Sequence, residues 1–265
     1  MEKLAYSHWP VALFAAASLA VPAHAGAPAA SFVKTGTIAA PDAGWDIAGW
    51  DATHGKLLVA HGVLALPDEN LALVASSKDN TVRLIKETSG IEVARIPVGE
   101  DHDAVLLSLD GKNAFVMDAG GGALSVVNLA QRKETQRIAL KPGLEFPVQY
   151  APNKVAVNNE DLSEIELVDL YTSKMAGAIA PTGCKVPTGM AYDAVTGLAL
   201  STCANGKAAL VDLASRKLVA LVSIGLGPDT ASGTAGIVAS SSPGARAGRF
   251  RSSTWRGASL WWSLG

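Results

Sequence analysis

Three short segments, Val127-Asn128-Leu129, Val168-Asp169-Leu170 and Val211-Asp212-Leu213, stand 41 and 43 residues apart. Around them a block of about 42 residues recurs, filled with short strand-like runs and turn residues. A period in this range, built from strands, specifies a β-propeller. Each block forms one small sheet, a blade, that cannot bury its faces alone and does so by stacking on its neighbours. The fold class is therefore all-β, with four-stranded blades.

Four blocks align, at residues 62–99, 101–143, 145–184 and 186–225, and an incomplete one at 44–61 precedes them. About five blades are thus recognisable. In the second block the strands fall at 104–109, 114–117, 124–129 and 134–140, and Asp110-Gly111-Lys112 and Gly120-Gly121-Gly122 supply the first two turns. The apolar run at 114–117 suits a strand covered on both faces, and the alternating run at 134–140 an outer strand with one wet face. Asn128, Asp169 and Asp212 end the third strands, where such side chains accept N–H bonds from the next turn. Glu164 and Glu166 alternate with Ile165 and Leu167 and read as the wet face of a strand.

The blocks resemble the YVTN-type β-propeller repeats of YncE-like proteins. The matching stretches are Ile96-Pro97-Val98-Gly99, Leu109-Asp110-Gly111-Lys112, Ala114-Phe115-Val116, Leu124-Ser125-Val126-Val127-Asn128 and Gly227-Pro228-Asp229. Members of that family are often exported, and the resemblance, which covers about residues 44–229, implies no catalytic motif. Two departures stand out. Ala60-His61-Gly62 runs straight into Val63-Leu64-Ala65-Leu66, so the outer strands of one blade are missing there. A seven-bladed ring at this period needs about 295 residues, more than the chain has.

The ends differ from the middle. Residues 1–25 read as a secretory signal: Lys3 at the start, an apolar stretch at 11–21, and Ala23-His24-Ala25 as a small-x-small cleavage site. The apolar stretch is too short to span a bilayer, and the mature chain offers no transmembrane segment. A linker at 26–43 leads to the propeller at 44–230. Residues 231–265 contain no Asp, Glu or Lys, but four Arg and three of the six Trp. The change follows Gly227-Pro228-Asp229-Thr230 in mid-repeat and reads as an aberrant or disordered tail, produced by a shift of reading frame in a GC-rich gene. A genuine basic, aromatic tail is the rival reading.

Net charge is −2 over the whole chain. Setting aside the leader and the tail leaves 17 basic and 23 acidic residues, near −6, with no electrostatic footprint for a phosphate backbone. That argues against nucleic acid and leaves a small ligand or a periplasmic protein, of unknown identity, as partner. Cys184 and Cys203 flank the first hairpin of one block, and in an exported chain they are expected to form a disulfide. There is no Cys-x-x-Cys-His for covalent haem, no Cys/His zinc spacing, and no nucleophile elbow or phosphate loop. The cofactor is otherwise unknown.

In a propeller the loops leading into the innermost strands meet at the channel mouth. Here they contribute His102, Asp103, Glu145, Lys185, Thr188 and Asp229 as candidate ligand-binding residues. The polar run holding Asn158, Glu160 and Asp161 lies between the second and third strands of its block and is a weak candidate for Ca²⁺. These features favour an exported binding module without a catalytic constellation. The alternative is a channel-site enzyme of lactonase or quinoprotein-like type that uses Ca²⁺ or another cofactor.

Overall fold

The computed structural model describes residues 47–60, 62–234, 237–243, 250–256 and 259–261. The secretory signal expected at 1–25 and the linker expected at 26–43 lie outside them. Strands β1 (Ile47–Asp51) and β2 (Lys56–Ala60) pair as a two-stranded sheet. Five four-stranded antiparallel sheets follow in chain order. Blade one is β3 (Gly62–Leu66), β4 (Leu71–Ser76), β5 (Thr81–Lys86) and β6 (Glu92–Pro97). Blade two is β7 (His102–Leu107), β8 (Asn113–Asp118), β9 (Ala123–Asn128) and β10 (Lys133–Ala139). Blade three is β11 (Leu144–Ala151), β12 (Lys154–Asn159), β13 (Glu164–Asp169) and β14 (Lys174–Ile179), and blade four β15 (Pro187–Asp193), β16 (Leu198–Cys203), β17 (Lys207–Asp212) and β18 (Lys217–Ser223). The fifth sheet is β19 (Thr230–Thr234), β20 (Ile237–Pro243), β21 (Phe250–Arg256) and β22 (Ser259–Trp261). All of it but Thr230 falls within residues 231–265, the segment whose composition sets it apart. The whole is an incomplete propeller of about five blades.

Side-chain alternation explains the stacking. Successive residues of a strand point to opposite faces. On β8, Ala114 and Val116 join the core shared with blade one, beside Leu73, Val82 and Leu84. Their neighbours Phe115 and Met117 join the core shared with blade three, beside Val155 and Val157. Ala156 then faces the other way, into the core shared with blade four, beside Ala199 and Val211. Each inner strand is therefore apolar on both sides because each side is the floor of a different core. Fully burying one such Val or Leu is worth about 1.5–3 kcal/mol.

The first strands form the hub: β3 touches β7, β7 touches β11, β11 touches β15 and β15 touches β19. Packing at the hub is close. A Cβ on Gly189 of β15 would fall 2.5 Å from the backbone of Thr230 and Ala231 in the next blade. The turns between third and fourth strands follow one recipe. The Oδ1 atoms of Asn128, Asp169 and Asp212 accept backbone N–H bonds from Gln131, from Tyr171 and Thr172, and from Ala214 and Ser215. The last turn residue, Arg132, Ser173 or Arg216, has positive φ, and a bulge follows that strengthens the twist.

The half-blade keeps its strands in step. Because β2 is antiparallel to β1, the chain leaves β2 at the end where a fourth strand would leave, and β3 begins two positions after β2 ends. Losing two strands preserves the up–down parity; losing one would not. Cys184 and Cys203 form a disulfide with Cα atoms 5.4 Å apart. Among the described residues no helix is long and apolar enough to cross a membrane.

Candidate functional site

The register brings the sequence candidates to one end of the molecule. In blade two His102, which opens the first strand, pairs with Asp118, which closes the second. Leu144 pairs likewise with Asn159, and Pro187 with Cys203. The loops entering first strands therefore share an end with the turns that follow second strands. Asp103, Glu145, Lys185, Thr188 and Asp229 come from the first set, and Glu160 and Asp161 from the second.

Electrostatics link the two sets. The Glu160 carboxyl is pushed above its usual range, first by burial and then by the negative charge of Asp161 and of Asp103 in the neighbouring blade. Asp161 lies against Gly143, where an added Cβ would meet its carboxyl at 2.8 Å and where the positive φ of 88° also favours glycine. Lys185 and Asp229 are exposed, while Asp103 and Glu145 are half-buried.

Other candidates are committed to seams between blades. Asn158 is buried in β12. Its amide donates to the carbonyls of Thr188 (2.8 Å) and Gly189 (3.1 Å), and its Oδ1 accepts from the Ser201 hydroxyl. The Thr188 hydroxyl donates to the carbonyl of Pro228 at 2.6 Å. The His102 ring is fully buried, with Nε2 3.1 Å from the Thr81 carbonyl in blade one. These three hold neighbouring blades together behind the acidic loops.

Behind His102 runs a polar chain that crosses blade two. Its Nδ1, with no hydrogen-bond partner, lies 3.8 Å from Asp118 Oδ1. Asp118 accepts the Gly99 N–H at 3.1 Å, and the Ser125 hydroxyl lies 2.6 Å from Asp118 Oδ2 and 2.7 Å from Glu134 Oε1. One hydroxyl proton cannot serve two carboxylates, so both contacts are satisfied when a carboxyl carries its own proton. Asp118 is suited to it. Burial pushes its carboxyl up to about 6, against the opposing pull of the Ser125 hydrogen bond and of the His102 and Arg137 charges.

The expected wet face of β13 is corrected by the structure. Glu166 is fully buried, because a third strand is covered by blades on both sides. Its carboxylate is satisfied by the Asn159 amide (2.8 Å) and the Lys141 N–H (3.3 Å), while Glu164 pairs with the Lys141 ammonium. Reading the blocks column by column locates such positions: Asp118, Asn159 and Cys203 all close second strands. No local pattern marks Asp51, His54 and Glu87, which converge at the opposite end of the blades.

No protein-family model matches the chain, and no curated protein does. Among solved structures it is similar to hydrazine synthase of Kuenenia stuttgartiensis, with a TM-score of 0.62 and 15% identity. That likeness covers 73% of this chain and 61% of the other, so the chain spans under two thirds of its neighbour's length. At this identity the likeness shows the fold.

Proposed function

We propose that this chain is an exported propeller of YVTN type that binds a ligand or partner protein, through cationic groups, at the end where Asp103, Glu145, Glu160, Asp161 and Asp229 gather. One observation carries the reading. The charges of Asp103 and Asp161, from two blades, both raise the Glu160 carboxyl, so acids far apart in sequence share one electrostatic patch. A surface that holds like charges together is relieved by a cationic partner, and such association weakens with salt.

The test is titration of the full chain with spermidine and with a lysine-rich peptide, by calorimetry at low and at physiological salt. We expect binding that weakens about tenfold or more as salt rises through the range where screening sets in, and that is lost in the Asp103→Asn/Glu160→Gln variant. Equal binding by the variant would overturn the reading. So would stoichiometric Ca²⁺ whose removal abolishes lactone hydrolysis, the mark of the channel-site enzyme. Export is supported by the Cys184–Cys203 disulfide and the leader-like residues 1–25. A mature protein beginning at Gly26 in the periplasmic fraction is the expected result, and an uncleaved cytosolic chain would count against it.

A further inference from the structure

We infer that Asp51, His54 and Glu87 form a binding site for a divalent transition-metal ion of the zinc class, at the end of the blades opposite the acidic loops. Asp51 closes β1, His54 lies in the β1–β2 turn, and Glu87 follows β5 in blade one. These three connections fall at the same end because a first strand ends where a third strand ends. One potential ligand atom from each side chain lies within 4.8 Å of the others.

Two features raise this trio above a chance gathering of polar groups. The first is the orientation of Asp51. Its side chain is fully buried, and its Oδ1 accepts the backbone N–H groups of Thr53 (2.8 Å) and His54 (3.2 Å). Those bonds fix the carboxylate and leave Oδ2 facing His54 Nδ1 at 2.6 Å. An outer set of hydrogen bonds that orients a ligand in this way is what metal sites require.

The second is Glu87. Its side chain is fully buried, yet neither carboxylate oxygen accepts a hydrogen bond. The Lys56 ammonium stands 3.3 Å from Oε2 as an ion pair, and also donates to Asn70 Oδ1 at 3.4 Å. Oε1 has neither. A buried carboxylate oxygen without a donor is costly, and the His54–Asp51 contact satisfies the other two members of the trio but not Glu87. A cation among the three would supply the missing partner.

The donor set selects the class of ion. One imidazole nitrogen and two carboxylate oxygens suit Zn²⁺ and its first-row neighbours, and are too few and too nitrogenous for Ca²⁺. Three protein ligands leave a fourth position for water. The His54 side chain is 32% exposed, which gives an ion a way in from solvent.

The experiment is titration of the full chain with Co²⁺, followed by its visible absorption, and then competition with Zn²⁺. We expect one equivalent to bind with ligand-field bands of a nitrogen–oxygen site, displaced by Zn²⁺. The His54→Ala variant should lose about tenfold or more in affinity, as should Glu87→Gln. His54 is a partly exposed turn residue, so His54→Ala decides the matter even where Glu87→Gln fails to fold. Native binding by His54→Ala, or no equivalent bound by the native chain, overturns the inference.

Discussion

Blades two and four solve the same problem with different chemistry. In each, the last residue of the second strand must be tied to the loop that leads into the first. In blade four the tie is covalent, Cys203 to Cys184. In blade two it is Asp118, which accepts the N–H of Gly99. The two loop residues are both three positions ahead of the first strand. Gly99 must lack a side chain, because a Cβ there would fall 2.3 Å from the Asp118 carboxyl. Blade three uses a third solution: the Asn159 amide donates to the carbonyls of Lys141 (3.4 Å) and Pro142 (2.8 Å). The repeat thus conserves a geometric demand and not a residue, and each tie responds to a different condition. Blade four answers to reductant, blade two to pH, and blade three to neither.

The largest effect should come from the covalent tie. Closing a loop of this length constrains the unfolded chain by about 3 kcal/mol. The Cys184→Ser/Cys203→Ser variant should therefore melt roughly 10 °C below the native protein, and reductant should lower the native melt alone. An unchanged melting temperature would mean that blade four is held by its core without the bond. The next effect tests whether the amide of blade three matters as a donor. Asn159→Asp sets a carboxylate against two carbonyls and the buried Glu166 carboxylate. Two acids so close cannot both ionise, so the variant should lose about 2 kcal/mol at neutral pH and recover part of it on acidification. Chemical denaturation at pH 5 and pH 7.5 checks this, and a pH-independent deficit would show that only shape was lost.

Much of this architecture was legible in the chain, and the reasons for the remainder are physical. The Val-x-Leu markers, the Asp-Gly turns and the both-sided apolar runs sit on the strands and turns they suggest, because those signals are local. The half-blade was legible too, since His61 follows one strand and Gly62 opens the next. Glu166 was not: alternation with Ile165 and Leu167 looks the same whether the second face meets water or another blade. Its true surroundings depend on Asn159 and on the backbone of Lys141, which only the fold brings near. The same holds for Glu87, which is 36 positions from Asp51 in the chain and is brought close to it by the stacking of blade one on the half-blade. Composition singled out residues 231–265 as foreign to the repeat, yet the backbone of Thr230–Thr234, Ile237–Pro243, Phe250–Arg256 and Ser259–Trp261 pairs as a fifth sheet. Sequencing the gene tests the frame-shift reading: an alternative frame that does not continue the repeat would end it.

The finest test of the comparison is Asp118→Asn. The Asp118 carboxyl is raised to about 6 in the fold by burial, so the folded state holds a proton that the unfolded chain gives up near the ordinary value of about 3.9. Its contribution is complete below that ordinary value and is lost as pH rises through about 6, a change on the order of 2–3 kcal/mol across the window. An asparagine keeps the oxygen that accepts from Gly99 and puts an amide where the proton would be. That amide donates to the Ser125 oxygen, and the Ser125 hydroxyl is then free for Glu134. The network is complete at every pH, so Asp118→Asn should be within about 1 kcal/mol of the native protein near pH 4, where Asp118 holds its proton, and more stable than it by on the order of 2–3 kcal/mol at pH 7. The difference between the two proteins should shift in favour of the native chain as pH falls from 7 to 4. Other carboxylates, such as Asp79 and Asp212, are held below their usual range by hydrogen bonds and contribute with the opposite sign, but they are common to both proteins and cancel in that difference. Parallel melting curves at both pH values would show that Asp118 ties its blade by shape alone, as Asn159 does in the next.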